Sequence, residues 1–272
     1  DGVDGVQAGQ LVAVSPSRPC RQCGQCKRGA FNHCLNMRFY GSAMPMPHIQ
    51  GAFREQLVAH KSQIAVADGL SPASASMAEP LAVAIHAANQ AGSLVGKRVL
   101  ITGCGPIGML CLLVAQAVGA VDVVVTDLAD FPLDMARAQG ATRAINVGQE
   151  PEALDDYSAD KGWFDVLFEC SGSALALASA LPALQPGGVI VQLGLGGDMS
   201  IPMQQLTAKE LQLRGSFRFH EEFFVGVSWM RSGRLDPTAL QTHTFDLKDA
   251  VPAFQRANDR SQAMKVHLDL SR

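Results

Sequence analysis

The segment KRVLITGCGPIGMLCLLVAQAVGAVDVVVTD, residues 97–127, decides the fold of this chain. Its apolar beginning at 98–102 predicts a buried strand, and the glycine-rich residues 103–108 predict a turn. A long apolar stretch then predicts a helix, and residues 121–127 predict a second strand that ends in an acid. Strand, turn, helix and strand in one unbroken run predict two parallel strands joined by a helical crossover.

The glycines of this segment have the spacing of a dinucleotide-binding turn. Gly103, Gly105 and Gly108 fit the pattern G-x-G-x-x-G directly after a predicted strand. Glycines at these positions allow a tight turn and a close approach of the backbone to a pyrophosphate, at which the next helix points free N–H groups. Asp127, 24 positions after Gly103, is placed to accept hydrogen bonds from an adenosine ribose. The alternatives are a glycine-rich turn without a ligand and, for Asp127, a solvated acid at a strand end.

Strands and helices continue to alternate after residue 127. Strand patterns recur at 143–147, 164–170, 188–194 and 211–217, separated by helical patterns at 132–140, before 160, at 174–184 and around 204–210. This alternation predicts an α/β fold with a doubly wound parallel sheet of six strands, as in a Rossmann fold. Cys170, Leu193 and Gly194 fall at the carboxyl ends of strands, where such sheets bind their ligands.

Four cysteines lie close together near the start of the chain. Cys20, Cys23, Cys26 and Cys34 are spaced C-x2-C-x2-C-x7-C in the segment CRQCGQCKRGAFNHC. Four thiolates on a short loop with little core of its own predict one tetrahedral structural Zn²⁺. Disulfides and an iron–sulfur cluster are the alternatives. The iron–sulfur alternative is disfavoured because the cysteine spacing matches neither of the two common ferredoxin patterns. The remaining cysteines lie in apolar segments and are most simply small core residues.

Length, composition and charge exclude several classes of protein. The 272 residues are 47% hydrophobic, so the chain can bury a substantial core. The net charge of −3 offers no basic field for nucleic acid and no polybasic face for a membrane. The longest apolar run is too short to span a bilayer, and the first residues are neither a signal peptide nor a transit peptide. These features favour a cytoplasmic protein with a small-molecule partner.

Residues on both sides of the alternating region are predicted to form a second domain. Before that region come strands at 10–14 and 53–59 and a helix that begins near Glu79 and Pro80. An acid and a proline suit the first turn of a helix, so Glu79 can be explained without a ligand. After it come helices at 221–231 and 247–258 and a strand at 264–270, which are too little to fold alone. The predicted division is 1–80, 81–217 and 218–272, with the third part completing the domain of the first.

Several segments, taken in order, resemble the zinc-dependent medium-chain dehydrogenase family. They are the four-cysteine loop, AEPLAVAIHA at 78–87, GCGPIG at 103–108 and KELQLRGSFRF at 209–219. The segments EPLAVAIHA, VVVTDL, FECSG and GSFRF are similar to the polyol (sorbitol) dehydrogenase branch, and PSRPC with MRFYGSAM to its L-idonate-oxidising members. The resemblance covers the whole chain and implies a GroES-like β domain, partial here, together with a Rossmann coenzyme domain.

The resemblance also implies NAD as the coenzyme and zinc as the metal. A structural zinc would bind the four-cysteine loop, and a catalytic zinc would lie beside Glu79 in a cleft between the domains. NAD is expected rather than NADP because Asp127 would repel a 2′-phosphate and no Arg or Lys occurs at 128–131. The residues expected to bind the coenzyme are Gly103, Gly105, Pro106, Ile107, Gly108, Asp127, Leu128, Cys170, Leu193, Gly194 and Phe217.

Arg218 is the residue expected to face the substrate or the nicotinamide. It lies in GSFRF at the exit of the sixth predicted strand, and a guanidinium suits the carboxylate of a sugar acid. The alternative is an arginine that only pairs with an acid between domains.

The activity implied is NAD-dependent, zinc-assisted oxidation of a secondary alcohol on a sugar acid or polyol. L-Idonate, oxidised at C5 to 5-ketogluconate, is the favoured substrate, and the protein is expected to form a homo-oligomer, a dimer or a tetramer. Sorbitol, galactitol or threonine dehydrogenation and coenzyme binding without catalysis are the alternatives. The chain begins abruptly and contains no counterpart of the family's upstream cysteine and Gly-His-Glu motif. It is therefore expected to lack a complete catalytic zinc site and to be inactive as printed.

Overall fold

The computed structural model describes residues 4–271, so the ends of the predicted segments 1–80 and 218–272 lie outside the described residues. The strands are β1 Val12–Val14, β2 Ser17–Arg18, β3 Arg38–Phe39, β4 Ile64–Val66, β5 Arg98–Thr102, β6 Asp122–Asp127, β7 Arg143–Asn146, β8 Phe164–Glu169, β9 Leu184–Gln192, β10 Gln212–Gly215, β11 Gln241–Asp246 and β12 Lys265–Asp269. The α-helices are α1 Gly24–Lys27, α2 Pro72–Ser76, α3 Ala78–Ala91, α4 Pro106–Ala117, α5 Asp130–Ala138, α6 Ala174–Ala180, α7 Met203–Ala208, α8 Glu222–Arg231 and α9 Ala250–Ala257.

Contacts divide the chain into two compact units. The first contains the described residues up to Ala82, then Arg218–Arg256 and the described residues from Val266 onward. The second contains Val83–Phe217 and Ala257–Lys265. The sequence-based division differs at 257–265, which it assigns to the returning segment and which contacts place in the second unit.

The second unit contains the predicted six-stranded parallel sheet. Its strand order is β10-β9-β8-β5-β6-β7, which is the order 3-2-1-4-5-6 of a Rossmann fold read from the far edge. The two central strands, β5 and β8, lie in parallel register, with Thr102 opposite Glu169 at their carboxyl ends. The strand order reverses between these two strands, and ligands bind Rossmann sheets outside that point. The predicted fold class is confirmed.

Both faces of this sheet are covered, which explains why its strands read as apolar runs. In β5 every residue from Val99 to Thr102 is buried. Helix α4 begins at Pro106, a residue whose fixed φ suits the first helical position. Each large aliphatic side chain in this core contributes about 1.5–3 kcal/mol when it is removed from water. The fully buried members of one hydrophobic cluster include Leu100, Val124, Phe164, Leu167, Ala180, Leu181, Ala183, Leu184 and Ile190.

One predicted element of this unit is wrong. The polar piece before residue 160 forms two short 3-10 turns, Asp155–Tyr157 and Ala159–Lys161, and no α-helix. Asp160 and Lys161 both have positive φ, at 51° and 72°. Consecutive residues in the left-handed region cannot continue a right-handed helix, and the segment has no apolar stripe that would reward one.

The first unit is built from small sheets. Strand β1 pairs antiparallel with β4, with Ala13 opposite Ala65, and β2 pairs with β3. The buried Gln63 side chain donates to the carbonyl of Ser15 at 2.8 Å, which continues this pairing beyond the strands. The prediction of a strand at 53–59 is wrong, because this segment has no strand conformation and Val58 is 92% exposed. Without a neighbouring strand to pair with and without burial of its side chains, a segment is not stabilised in the extended conformation.

None of the helices within residues 4–271 combines the length with the apolar composition that crossing a membrane requires.

Candidate coenzyme and metal sites

The three glycines of the turn after β5 differ in the structural reason for having no side chain. Gly103 has a φ of +84°, and a Cβ there would lie 2.7 Å from the backbone nitrogen of Ser171. A Cβ at Gly108 would lie 1.9 Å from the carbonyl oxygen of Gly103. At Gly105, by contrast, a Cβ would meet no atom of the described residues within 4 Å. Gly103 and Gly108 are therefore required by the turn itself, whereas Gly105 keeps one face of the turn open for a ligand.

Asp127 connects the end of β6 to this turn. One carboxylate oxygen accepts from the backbone N–H of Cys104 at 2.7 Å, and the other accepts from Leu128 at 2.7 Å and Ala129 at 3.0 Å. Three backbone N–H groups therefore fix the orientation of this carboxylate at the carboxyl end of the sheet. Leu128 is 75% exposed. The acid expected to bind ribose thus lies directly against the glycine turn.

A second acid stands near the end of β6. Asp130, the first residue of α5, accepts from the side-chain amides of Asn146 at 2.6 Å and Gln149 at 3.2 Å. Residues 128–131 contain no basic side chain that could neutralise a phosphate.

The carboxyl ends of β8 and β9 form the other half of this edge. Leu193 and Gly194 both donate their backbone N–H groups to the carbonyl of Glu169, each at 2.9 Å. A Cβ at Gly194 would lie 2.1 Å from the backbone nitrogen of Gly172, so the two turns pack backbone against backbone.

The remaining expected coenzyme residues occupy different positions relative to this edge. The thiol of Cys170 lies 4.0 Å from the thiol of Cys111 on α4. That thiol neighbour and burial raise the pKa of Cys170 well above its usual value. Pro106 and Ile107 form the first turn of α4, and Phe217 follows β10 by two residues.

The four-cysteine loop gathers its sulfurs as a metal site requires. The Sγ atoms of Cys20, Cys23, Cys26 and Cys34 all lie within 4.8 Å of one another. Backbone N–H groups orient two of them, since Cys20 donates to the sulfur of Cys34 at 3.1 Å and Cys23 to that of Cys20 at 3.4 Å. All seven cysteines of the chain are free thiols. Four sulfurs from a short loop match the ligand set of a closed tetrahedral zinc site.

The acidity of these thiols differs sharply across the cluster. The backbone N–H of Gln22 is the main reason that the pKa of Cys20 is lowered to about 6. Burial, together with the neighbouring thiols, raises the pKa of Cys26 to about 12. Burial also raises the pKa of Cys34. A bound cation is what allows four crowded sulfurs to be thiolates together, so this donor set fits zinc.

Glu79 lies in the first turn of α3 and lines a cavity of about 310 Å³ in the first unit. Strand β1, helix α2 and Phe223 form the other walls, and Glu79 is the only titratable residue in this lining. Within residues 4–271, the four-cysteine loop is the only group of three or more His, Cys, Asp or Glu side chains placed to hold a metal. Glu79 belongs to no such group among the described residues.

Arg218 has an unusual backbone conformation and a defined environment within the first unit. Its φ is +56°, in a region that side chains other than glycine rarely adopt. Its guanidinium donates to the hydroxyl of Ser42 at 2.9 Å and lies 4.4 Å from the centre of the Phe39 ring. Burial lowers the pKa of Arg218. Backbone strain at a charged residue is more common at functional sites than elsewhere.

The sequence analysis did not identify Glu169, which is fully buried at the end of β8 and joins the turns after β8 and β9. The available signal was a single acid at the end of the otherwise apolar run VLFE, since an ionisable residue in a central strand needs partners.

A Rossmann sheet with a glycine turn and an acid at the end of its second strand, together with a four-cysteine loop suited to zinc, is typical of zinc-binding, dinucleotide-dependent oxidoreductases. The profile of the family described as zinc-binding dehydrogenase matches residues 106–232, and that of the alcohol dehydrogenase GroES-like domain matches residues 1–68. L-idonate 5-dehydrogenase (NAD(P)(+)) of Escherichia coli K12 is 42% identical over 265 residues, which cover 96% of this chain and 76% of the relative. The chain belongs to the zinc-binding dehydrogenase family.

Other relatives and solved structures agree with this assignment. Sorbitol dehydrogenase of Bacillus subtilis is 32% identical over 97% of this chain and 75% of its own length. The crystal structure of L-idonate 5-dehydrogenase from Escherichia coli matches with a TM-score of 0.92 and 40% identity, covering 98% of this chain and 77% of that one. The predicted family and its polyol branch are therefore confirmed.

Proposed function

We propose that this protein is an NAD-dependent dehydrogenase that oxidises a secondary alcohol of a sugar acid, with L-idonate as the favoured substrate. The observation that carries the proposal is the 42% identity with the Escherichia coli L-idonate 5-dehydrogenase, which extends over 96% of the chain. Sorbitol, galactitol or threonine dehydrogenation is the alternative, because pocket residues rather than motifs distinguish these substrates.

Residues of the chain bind and orient the coenzyme in this proposal. The open face at Gly105 admits the pyrophosphate, to which the first turn of α4 offers free N–H groups. Asp127 accepts hydrogen bonds from the ribose, and the turn at Leu193 and Gly194 receives the nicotinamide side. NAD, when bound, supplies the acceptor for the hydride that leaves the alcohol carbon.

Charge favours NAD over NADP. Asp127 and Asp130 place two carboxylates at the end of β6, and residues 128–131 contain no cation. A 2′-phosphate would meet both charges, and a like-charge contact of this kind can cost several kcal/mol. The Escherichia coli relative is named for both coenzymes, so the preference needs measurement in this protein.

Zinc has a structural role in the proposal. Cys20, Cys23, Cys26 and Cys34 would hold one ion and stabilise their loop, and four protein thiolates leave no position for water or substrate. The role of Glu79 beside a catalytic zinc stays a prediction.

Arg218 is proposed as the cation that binds the carboxylate of the sugar acid. A hydrogen bond to the hydroxyl of Ser42 and the ring of Phe39 hold the guanidinium in place. Removal of the guanidinium should weaken the binding of an acidic substrate much more than that of a neutral polyol, because only the acidic substrate has a carboxylate to bind.

Titration with NADH and NADPH, followed by kinetics with L-idonate and sorbitol, tests the proposal in the protein as its gene encodes it. NADH should bind more tightly than NADPH. Arg218→Ala should raise the KM for L-idonate by about tenfold or more and that for sorbitol by less than about threefold. Arg234→Ala is the matched control, because Arg234 also lies over an aromatic ring, 4.9 Å from the centre of Trp229. Equal effects on both substrates, or tighter NADPH binding, contradict the proposal.

Three further expectations stay predictions. They are the homo-oligomeric state, the cytoplasmic location and the inactivity of the chain as printed. Coenzyme binding by the 272-residue chain without turnover of L-idonate would agree with the last of these and with a non-catalytic binding protein.

A further inference from the structure

We propose that Glu169 is a positioning residue for the coenzyme, a buried carboxylate that holds the two turns on the nicotinamide side of the sheet. The inference rests on the proposed function, because it assumes that this edge binds a nicotinamide dinucleotide. Glu169 ends β8 directly beside the point where the strand order reverses, and its side chain is fully buried.

The Glu169 carboxylate accepts hydrogen bonds from four residues at this edge of the sheet. One oxygen accepts from the backbone N–H and the hydroxyl of Ser171, the former at 2.9 Å, and from the hydroxyl of Thr102 at 3.4 Å. The other accepts from the side-chain amide of Gln192 at 2.6 Å, and Gly172 donates to both oxygens at 3.1 Å. A carboxylate with about four acceptor sites can satisfy such a set, and no neutral side chain of the same length can.

These partners belong to three different strand ends. Thr102 ends β5, Ser171 and Gly172 follow β8, and Gln192 ends β9. The amide of Gln192 also donates to the carbonyl of Gly194 at 2.9 Å, so one carboxylate is linked to the turns after β8 and β9. Loss of its charge should therefore loosen both turns together.

The turns held by Glu169 pack closely, backbone against backbone. Gly172 has a φ of +68°, and a Cβ at Gly196 would lie 1.7 Å from the carbonyl oxygen of Gly172. On the other side, Ser171 lies against Gly103, the first glycine of the phosphate turn. The coenzyme's nicotinamide half would therefore meet surfaces whose positions depend on Glu169, whereas its adenosine half would meet Asp127.

Because Glu169 would support only the nicotinamide side of the coenzyme site, its substitution should have an effect that a general loss of stability would not produce. Glu169→Gln replaces an acceptor by an amide whose N–H groups would face other donors. The turns should shift, and NADH should bind about tenfold or more weakly. Binding of 5′-AMP, which lacks the nicotinamide half, should change less than about twofold because Asp127 and its contacts are unaltered.

The experiment measures dissociation constants of NADH and 5′-AMP by calorimetry, together with the thermal midpoint, for three variants and the wild type. Glu169→Gln is the main variant. Gln192→Ala keeps the carboxylate but removes its link to Gly194. This variant should bind NADH about three- to tenfold more weakly, and its affinity for 5′-AMP should be unchanged. Glu150→Gln is the control, because Glu150 is an exposed acid of the same unit, 61% exposed and 3.9 Å from Arg143.

The possible results separate the two proposals. If the wild type binds neither NADH nor NADPH, the proposed function fails. If the wild type binds NADH but Glu169→Gln and Gln192→Ala both bind it within about twofold of wild type, the role of Glu169 is refuted. Equal weakening of NADH and 5′-AMP refutes it as well, because it indicates a general distortion. If Glu169→Gln does not fold, Gln192→Ala alone decides between these outcomes.

Discussion

Alanine substitutions at Gly105 and Gly108 should differ in their effect on stability, although both residues belong to the same motif. A Cβ at Gly108 would stand 1.9 Å from the carbonyl oxygen of Gly103, where real contacts of this kind stay beyond 3.0 Å. Helix α4 or the turn must then move by at least the difference, 3.0 − 1.9 = 1.1 Å. At Gly105, with a φ of −69°, alanine meets no described atom and needs no unusual backbone conformation.

The expected magnitudes follow from these distances. Overpacking against backbone in a tight core costs about 3 kcal/mol, which lowers the thermal midpoint of a domain of this size by roughly 6–12 °C. Gly108→Ala should therefore lose both stability and coenzyme affinity. Gly105→Ala should change stability by less than about 1 kcal/mol, because the loss of a good N-cap residue is offset by a less flexible unfolded chain. Its Cβ would occupy the space that the pyrophosphate needs, so NADH affinity should fall by about tenfold or more.

Thermal unfolding by circular dichroism and titration of NADH fluorescence measure the two effects. Gly105→Ala should keep the wild-type thermal midpoint but bind NADH weakly, whereas Gly108→Ala should have a lower midpoint. Wild-type NADH affinity in Gly105→Ala, or a wild-type midpoint in Gly108→Ala, would refute these expectations.

The remaining predictions concern the metal and the pH dependence of stability. Metal analysis should find about one zinc per chain in the four-cysteine loop, which Cys26→Ser should remove; absence of zinc, or a disulfide within the loop, contradicts this. Burial raises the pKa of Asp165, but the backbone N–H of Arg98 and the ammonium of Lys97 outweigh burial and hold it below its usual value. A lowered pKa in the folded state stabilises above the unfolded pKa of about 4, and this stabilisation disappears as the pH falls through the folded value. Asp165→Asn should therefore cost about 1–2 kcal/mol at neutral pH, measured by urea unfolding, and progressively less as the pH falls below about 4; a difference that does not depend on pH contradicts the assignment.

Local patterns carried most of the information about the second unit. The strand predicted at 98–102 agrees with β5, and the glycine spacing predicts the turn because only glycine can adopt a φ of +84° beside Ser171. The spacing of the four cysteines predicted their convergence, because few conformations are open to so short a loop. The failures also have local causes, since the polar segment before 160 has neither an apolar stripe nor strong turn residues that would distinguish a helix from 3-10 turns.

By itself, therefore, the sequence determined the sheet, the glycine turn, the position of Asp127 and the metal loop, because each depends on residues close together in the chain. Only the tertiary structure decided which glycine has an open face and which atoms Glu169 contacts. Thr102 and Glu169 are 67 residues apart in sequence, and their contact exists only because β5 and β8 are neighbours in the sheet. Contacts between strand ends depend on strand order and on register within about 1 Å, and neither leaves a signal in a local pattern of apolar and polar residues.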